Sequence, residues 1–216
     1  MSVSKTIVIS CAGMGTRLGI GSTKALIDID GKPLIIRQLE LLKDFDDIRI
    51  VVGYQMEKVI EVVNSYRKDI LFVFNHDYRN TGTGGSFSRA IKHAAELVVS
   101  LDGDLLVHPD DLMRVLNSDK ECVCGAIPCT EDPMLMKTLT QNGQIYGVGF
   151  SREEGEYEWT GLAQVKTERL TPGDHHVCDM LVPLLPLPME LIRTKEIDTM
   201  SDYEHAVAWV KSGYAD

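Results

Sequence analysis

The sequence predicts one α/β domain with a mostly parallel central sheet. Strand-like and helix-like segments alternate through the first half of its 216 residues. Consecutive strands separated by helices require crossover connections, which favour parallel pairing. The composition, 44% hydrophobic and 25% charged residues, is ordinary for a globular protein of this length.

The elements of the first half are assigned from apolar runs and helical spacing. Proline stands at the start of two of the helices, where its missing N–H costs nothing. The predicted strands are 6–11, 48–53, 70–74 and 97–104, and the predicted helices are 33–43, 55–67, 86–97 and 109–117.

The second half changes character. It contains a strand-like run, a hairpin turning at Asn142-Gly143, a further strand and two helices. In chain order these are 121–130, 134–150, 159–166, 174–185 and 199–212. We expect one domain over 1–216, made of the halves 1–118 and 119–216, in which the later half folds over the sheet edge and builds one side of a cleft.

Charge and cysteine content exclude several classes of protein. The formal net charge of −10 disfavours nucleic-acid and membrane-surface binding, which need basic surfaces. The N-terminal apolar run is too short for a signal peptide, and no run approaches the ~20 residues of a spanning helix. The five cysteines disfavour a disulfide framework, and the C-x-C pair at 122 and 124 is a weak zinc signal. We therefore expect a cytoplasmic protein.

A glycine-rich loop follows the first predicted strand. Residues 11–26 read CAGMGTRLGIGSTKAL and carry two cations, Arg17 and Lys24. Backbone that can approach closely, free N–H groups and positive charge suit a polyphosphate. The loop is neither a Walker A motif, since Ala25 follows Lys24, nor a dinucleotide fingerprint, since Leu18 replaces the third glycine. A loop with solvated cations is the alternative.

Two further segments follow predicted strands. The sequence LDGD ends the fourth strand with Asp102 and Asp104, and NTGTGGS at 80–86 follows the third. Ligands of open parallel sheets bind beyond the carboxyl ends of the strands. Carboxylates beside a phosphate site suit Mg²⁺, although Asp104 could also be a turn or capping residue. The segment 80–86 could equally be a turn and N-cap for the next helix.

Together these residues resemble a known family. G-x-G-T-R-L, T-K-A-L, D-G-K-P-L and the L-D-G-D strand end resemble the nucleotidyltransferases that join an NTP to a phosphorylated small molecule and release pyrophosphate. E-I-D-T at 196–199 and W-T-G at 159–161 resemble segments of bacterial phosphocholine cytidylyltransferases. The resemblance implies a Rossmann-like, three-layer α/β/α fold of GT-A type with a small β-rich acceptor-binding extension, and Mg²⁺ as cofactor.

The resemblance also implies roles for individual residues. Arg17 and Lys24 would be catalytic, on the departing pyrophosphate and on the transferring or acceptor phosphate. Asp104 and Asp198 would hold the metal. The nucleotide-binding residues would be Ala12, Gly13, Gly15, Thr16, Asn80, Gly82, Thr83 and Asp102. The acceptor-binding residues would be Trp159, Thr160, Gly161 and Glu196.

The nucleotide and the acceptor remain open at this point. CTP with a phosphocholine-like acceptor is favoured, but T-G-T-G-G resembles the G-T-G-G of sugar-1-phosphate nucleotidylyltransferases, which use UTP, GTP or dTTP. The E-K-P segment of those enzymes is not found. A glycosyltransferase with a D-x-D metal site and a nucleotide sensor without catalysis are further alternatives. Neither a nucleic-acid nor a membrane partner is expected, and homodimerisation is left open.

Overall fold

The computed structural model describes residues 3–15, 21–129, 133–142 and 144–215. Within these residues nine strands form one sheet, and two pairs of short strands lie beside it. The strands are β1 (Lys5–Cys11), β2 (Asp28–Ile29), β3 (Lys32–Pro33), β4 (Ile48–Val52), β5 (Leu71–Phe74), β6 (Leu97–Asp102), β7 (Leu105–Val107), β8 (Cys122–Ala126), β9 (Leu135–Gln141), β10 (Gln144–Ser151), β11 (Tyr157–Lys166), β12 (Met189–Leu191) and β13 (Thr194–Glu196).

Six α-helices accompany the strands in the described part of the chain. They are α1 (Leu34–Leu41), α2 (Met56–Tyr66), α3 (Thr83–Ala90), α4 (Pro109–Leu116), α5 (Val177–Leu181) and α6 (Met200–Lys211). None of these helices has the length and apolarity that crossing a membrane demands.

The centre of the sheet is parallel. Strands β6, β1, β4 and β5 lie side by side in that order and all pair in parallel. Strand β11 then pairs antiparallel with β6, β8 and β9, and the hairpin β9–β10 completes that side. The predicted α/β fold with a mostly parallel central sheet is confirmed, and the antiparallel strands come from the second half of the chain.

Alternating side chains of the central strands enter two apolar cores. Ile7, Ile9 and Cys11 of β1 pack with side chains of α1, α2 and α4, whereas Val8 packs with those of α3 and α5. Burial on both faces is typical of parallel strands between helical layers. A third, smaller cluster joins α6 to β2 and β7 through buried side chains, among them Trp209.

Two predicted helices have other boundaries in the structure. The helix expected at 86–97 is α3, which begins at Thr83 and ends at Ala90, because glycines of the 80–86 segment form its first turn. The helix expected at 174–185 is reduced to α5 and a following 3₁₀ turn. Residues 174 and 175 instead form a bend against the start of α3, where the N–H groups of Gly82 and Gly84 donate to the carbonyls of Asp174 and His175. At the hairpin turn, Asn142 has a positive φ of 52° and Gly143 lies outside the described residues.

The short strand β13 is held beside the sheet by an ion pair as well as by its pairing with β7. Asp111 on α4 accepts hydrogen bonds from the backbone N–H and from Nε of Arg193, both at 2.9 Å. Burial alone would raise the pKa of Asp111, but these bonds and one from Arg114 lower it to about 2. Arg193 directly precedes β13, so this ion pair fixes where that strand begins.

We expect Asp111→Asn to lower the free energy of unfolding at pH 7 by about 1.5–3 kcal/mol, the scale of hydrogen bonds to a charged group. The folded-state pKa lies below the ordinary value of 3.8. The stabilisation is therefore complete above that value and lost as the pH falls towards 2. Urea unfolding at several pH values should show the difference between wild type and variant shrinking from about pH 4 downwards. Asp110→Asn, at an exposed neighbour on the same helix, is the charge-matched control. Equal effects of the two variants would contradict the prediction.

Candidate active site

Three carboxylates from distant parts of the chain lie together. Asp104, Glu196 and Asp198 each offer an oxygen, and these oxygens all lie within 4.8 Å of one another. We call these three residues the carboxylate cluster. Each is half-buried, so the group is neither a solvated surface patch nor part of the apolar core.

The pairing of β7 with β13 assembles the cluster. Asp104 lies in the turn between β6 and β7, and Glu196 is the last residue of β13, opposite Leu105. The backbone N–H of Ile197 donates to the carbonyl of Asp104 at 3.3 Å. Asp198 follows directly, just before the N-cap of α6 at Thr199. Residues more than ninety positions apart in the sequence thus share one edge of the structure.

Lys24 is the cation of this site. Its Nζ donates to Asp104 Oδ2 at 2.8 Å and also to Asp198 Oδ1. Only 11% of the Lys24 side chain is exposed, so the ion pairs are shielded from solvent. Burial opposes the charged ammonium, but the two carboxylates outweigh it and raise the pKa of Lys24. The roles that the resemblance implies for Lys24, Asp104 and Asp198 stay predictions, and the structure places the lysine in direct contact with both aspartates.

Negative charge is nevertheless in excess. Burial, with the nearby charges of Asp104 and Asp198, raises the pKa of Glu196 to about 7. Burial and the neighbouring Asp104 and Glu196 likewise raise the pKa of Asp102 well above its usual range. Asp102 Oδ1 is buried and has no hydrogen-bond partner among the described residues. Crowded carboxylates and an unpaired buried oxygen fit a divalent cation such as Mg²⁺, whose preferred ligands are hard oxygens.

The glycine loop begins beside this centre. Ser10 on β1 is paired with Asp102 on β6, so the loop leaves β1 next to the acidic turn. Ala12 is buried and accepts a hydrogen bond from the Tyr54 N–H, while Gly13 is exposed. Gly15 has a φ of +58°, and a Cβ there would lie 2.8 Å from Lys24 Cγ. Thr16 and Arg17 lie outside the described residues, so the roles predicted for them remain predictions.

The residues predicted to contact the base and ribose surround the start of α3. The Asn80 side chain is exposed and donates to Asp77 Oδ1 at 2.6 Å. Thr83 Oγ1 accepts from the Val177 N–H at 3.2 Å. A Cβ at Gly82 would lie 2.1 Å from the His175 carbonyl oxygen. Gly82 and Thr83 therefore connect α3 to the 174–177 segment, which is a structural role in addition to the predicted one.

The W-T-G segment lies on β11, where the strand bulges. The pairing of β11 with β8 shifts between Trp159 and Ala163. The Trp159 ring meets Phe150 edge-on at 5.5 Å, and the Thr160 hydroxyl, buried, donates to the Cys124 carbonyl. Gly161 has a φ of +82°, and a Cβ there would lie 2.2 Å from Asp102 Oδ2. Of the three, Gly161 is the residue with a demonstrated place beside the acidic centre.

A cavity of about 710 Å³ opens on the other side of Glu196. Its wall includes Cys129, Lys195, Glu196, His205 and Trp209. Most of its lining comes from β13 and one face of α6, a part of the chain to which the sequence assigned no acceptor residues beyond Glu196. Polar and small residues at 201, 205, 208 and 212 recur at helical spacing, and this is the signal that could have identified the face.

Comparison with known proteins identifies the family. The model of the MobA-like NTP transferase domain matches residues 7–165, most of the chain. The chain belongs to this family. The resemblance to nucleotidyltransferases drawn from the motifs is thereby confirmed, together with the enzyme class.

Individual proteins resemble this NTP transferase domain to differing extents. It is 37% identical over 155 residues to the "Bifunctional protein GlmU" of Aliarcobacter butzleri, covering 71% of this chain and 36% of that relative. The chain thus spans little more than a third of the length of that relative.

Two solved structures share the fold. The CTP:phosphocholine cytidylyltransferase LicC of Streptococcus pneumoniae has a TM-score of 0.73 at 19% identity, covering 96% of this chain and 100% of that one. The inositol-1-phosphate CTP transferase of T. maritima has a TM-score of 0.74 at 18% identity, covering 100% and 99%. At this identity the likeness establishes the fold.

We expect Gly161→Ala to destabilise the protein more than Gly31→Ala. Both glycines have positive φ, but a Cβ at Gly31 meets nothing within 4 Å, whereas one at Gly161 collides with the Asp102 carboxylate. The strained backbone alone costs about 1–2 kcal/mol, which both variants share. Urea unfolding of the two variants separates the backbone strain from the contact with Asp102. Equal losses of stability in the two variants would contradict the prediction, because they would show that a Cβ at position 161 does not collide with the Asp102 carboxylate.

Proposed function

We propose that the protein is a Mg²⁺-dependent nucleotidyltransferase that transfers the cytidylyl group of CTP to the phosphate of a small molecule and releases pyrophosphate. The observation that carries this proposal is the contact of Lys24 with both Asp104 and Asp198 beside the end of β1. Family membership supplies the reaction class, and the site supplies residues of suitable charge for two phosphorylated substrates.

Mg²⁺ would be held by Asp104 and Asp198, with Glu196 and Asp102 beside them, and when bound would neutralise phosphate charge at the reacting phosphorus. Lys24 would then lose its ion pair with at least one of these carboxylates, and its ammonium would face the phosphate of a substrate. Arg17, on the glycine loop, is proposed to bind the departing pyrophosphate, because a guanidinium matches pairs of phosphate oxygens.

The reaction proposed is an in-line displacement. An oxygen of the acceptor phosphate forms a bond to the α-phosphorus of the nucleotide, and the bond from that phosphorus to the pyrophosphate oxygen breaks. No general base is required, since a phosphate monoester is largely ionised near pH 7. The protein would act by positioning two anions and stabilising the charge on the leaving group.

The nucleotide would extend from the glycine loop, at Ala12, Gly13, Gly15 and Thr16, towards the start of α3 at Asn80, Gly82 and Thr83. The cavity beside Glu196 has the size for a small acceptor. Glu196 lines this cavity and is also a member of the carboxylate cluster. Trp159, Thr160 and Gly161 remain proposed acceptor residues.

Two observations favour CTP with a phosphocholine-like acceptor. The E-I-D-T segment, which resembles that of phosphocholine cytidylyltransferases, supplies two members of the carboxylate cluster. Two proteins that share the fold carry CTP in their names. A sugar-1-phosphate nucleotidylyltransferase is the second candidate, favoured by the T-G-T-G-G segment at the start of α3.

A pyrophosphate-release assay tests the reaction. CTP, UTP, GTP and dTTP are each paired with phosphocholine, inositol 1-phosphate and a hexose 1-phosphate in the presence of Mg²⁺. We expect release with CTP and a small phosphorylated acceptor. Release that occurs only with a hexose 1-phosphate and another nucleotide would transfer the assignment to the second candidate. Tight nucleotide binding without release in any pairing would overturn the proposal and favour a sensor.

Variants at the cation and at one carboxylate test the site. We expect Lys24→Met and Asp104→Asn each to lower kcat by about 100-fold or more, the scale for losing one electrostatic stabiliser. Lys68→Met, at an exposed lysine after α2, is the control and should retain wild-type turnover. Wild-type kcat in either site variant would remove that residue from the reaction centre.

A further inference from the structure

A buried glutamine lies directly beneath the acidic turn. Gln38 is on α1 and only 3% of it is exposed. Its Nε2 donates to the carbonyl of Asp102 at 2.9 Å and to the carbonyl of Leu105 at 2.8 Å. These carbonyls stand at the two ends of the Gly103-Asp104 turn, so a single side-chain amide bonds both ends of it.

The same turn carries Asp104 of the carboxylate cluster. Its other side is fixed by the Gly103 N–H, which donates to the Ser10 carbonyl at 3.0 Å. A Cβ at Gly103 would lie 2.7 Å from that same oxygen, so the turn lies tightly against β1. The direction of the Asp104 side chain depends on this backbone, and two of the turn's hydrogen bonds come from Gln38.

An amide is a costly choice at this position. The neighbouring residues of α1, among them Leu34, Ile35 and Leu39, are fully buried and apolar. Gln38 Oε1 is itself buried without a hydrogen-bond partner among the described residues. Burying an unpaired polar atom opposes folding, whereas an apolar side chain of similar size would fill the space without that cost.

We propose that Gln38 is a positioning residue for the metal site: its two hydrogen bonds fix the turn so that Asp104 faces Glu196 and Asp198. It acts through the backbone and touches neither metal nor substrate. The inference rests on the proposed function, in which these carboxylates hold the cation.

The chain provides a matched control in Gln164 on β11. Gln164 is fully buried, and its Nε2 donates to the carbonyls of Ser118 and Lys120 at 2.6 and 2.8 Å. Its Oε1 also lacks a partner among the described residues. It therefore bonds both ends of a turn in the same way, but its turn joins α4 to β8 and carries none of the cluster.

The experiment compares Gln38→Met with Gln164→Met in the full chain. Methionine keeps the length of glutamine and removes both donors. Mn²⁺ alone, titrated by electron paramagnetic resonance, reports metal affinity, and urea unfolding reports stability. We expect both variants to lose stability, because each removes the donor of two backbone carbonyls, a cost that outweighs the relief of the unpaired Oε1. Gln38→Met should in addition weaken Mn²⁺ binding by about tenfold or more, the usual scale for groups that orient metal ligands. Gln164→Met should leave the affinity within about twofold of wild type, well below that scale.

A second readout uses turnover. Raising the metal concentration should restore pyrophosphate release in Gln38→Met, because the variant would bind the metal more weakly but keep the residues that take part in the reaction. Gln38→Leu, which also lacks the donors and matches the apolar residues around it on α1, serves if the methionine variant does not fold. Unchanged Mn²⁺ affinity in the Gln38 variant, or equal losses in both glutamine variants, would overturn the inference while leaving the proposed function intact. Wild type that binds no Mn²⁺, or an Asp104→Asn variant that binds it as wild type does, would overturn the proposed metal site and this inference together.

Discussion

The crowding of carboxylates around one lysine is the constraint on which the site depends. Asp104 and Asp198 both contact Lys24, and burial together with the neighbouring carboxylates raises the pKa values of Glu196 and Asp102. A single ammonium cannot balance several carboxylates in a half-buried place. The arrangement favours the uptake of protons or of a cation, and in the proposed function a magnesium–nucleotide complex would bring such a cation. The repulsion among these carboxylates would therefore favour binding of a substrate that carries a cation.

The fold keeps these charges together by joining the two halves of the chain. The first half provides the parallel strands, the glycine loop and the acidic turn at their carboxyl ends. The second half contributes Glu196 and Asp198 through β13, which pairs with β7 and is anchored by Arg193 on Asp111. Neither half alone contains the carboxylate cluster, so the cluster forms only when β13 pairs with β7.

The elements of the first half could be predicted from sequence because each has a local signal. Apolar runs indicated β1, β4, β5 and β6, and the strand end at Asp102 indicated an acidic rim. The pairing of β7 with β13 had no such signal, since each strand has three residues. The role of Asp198 came from resemblance, and its contact with Lys24 only from the fold. Gln38 was missed because a glutamine within an apolar helix is not distinguished by any motif.

Glu196 belongs to the carboxylate cluster and also lines the cavity, so the two parts of the proposed site share one side chain. The residues proposed to bind the nucleotide lie at or after the ends of β1, β5 and β6, where glycines and aspartates are visible in the sequence. The cavity is lined largely by one face of α6, and Trp209 both lies in that wall and packs in the third core cluster. The Ser212 hydroxyl donates to the carbonyl of Trp209, whereas the side chain of His205 is exposed. Under the proposed function, a change at an exposed residue of this face such as His205 would alter the acceptor site and leave the carboxylate cluster in place.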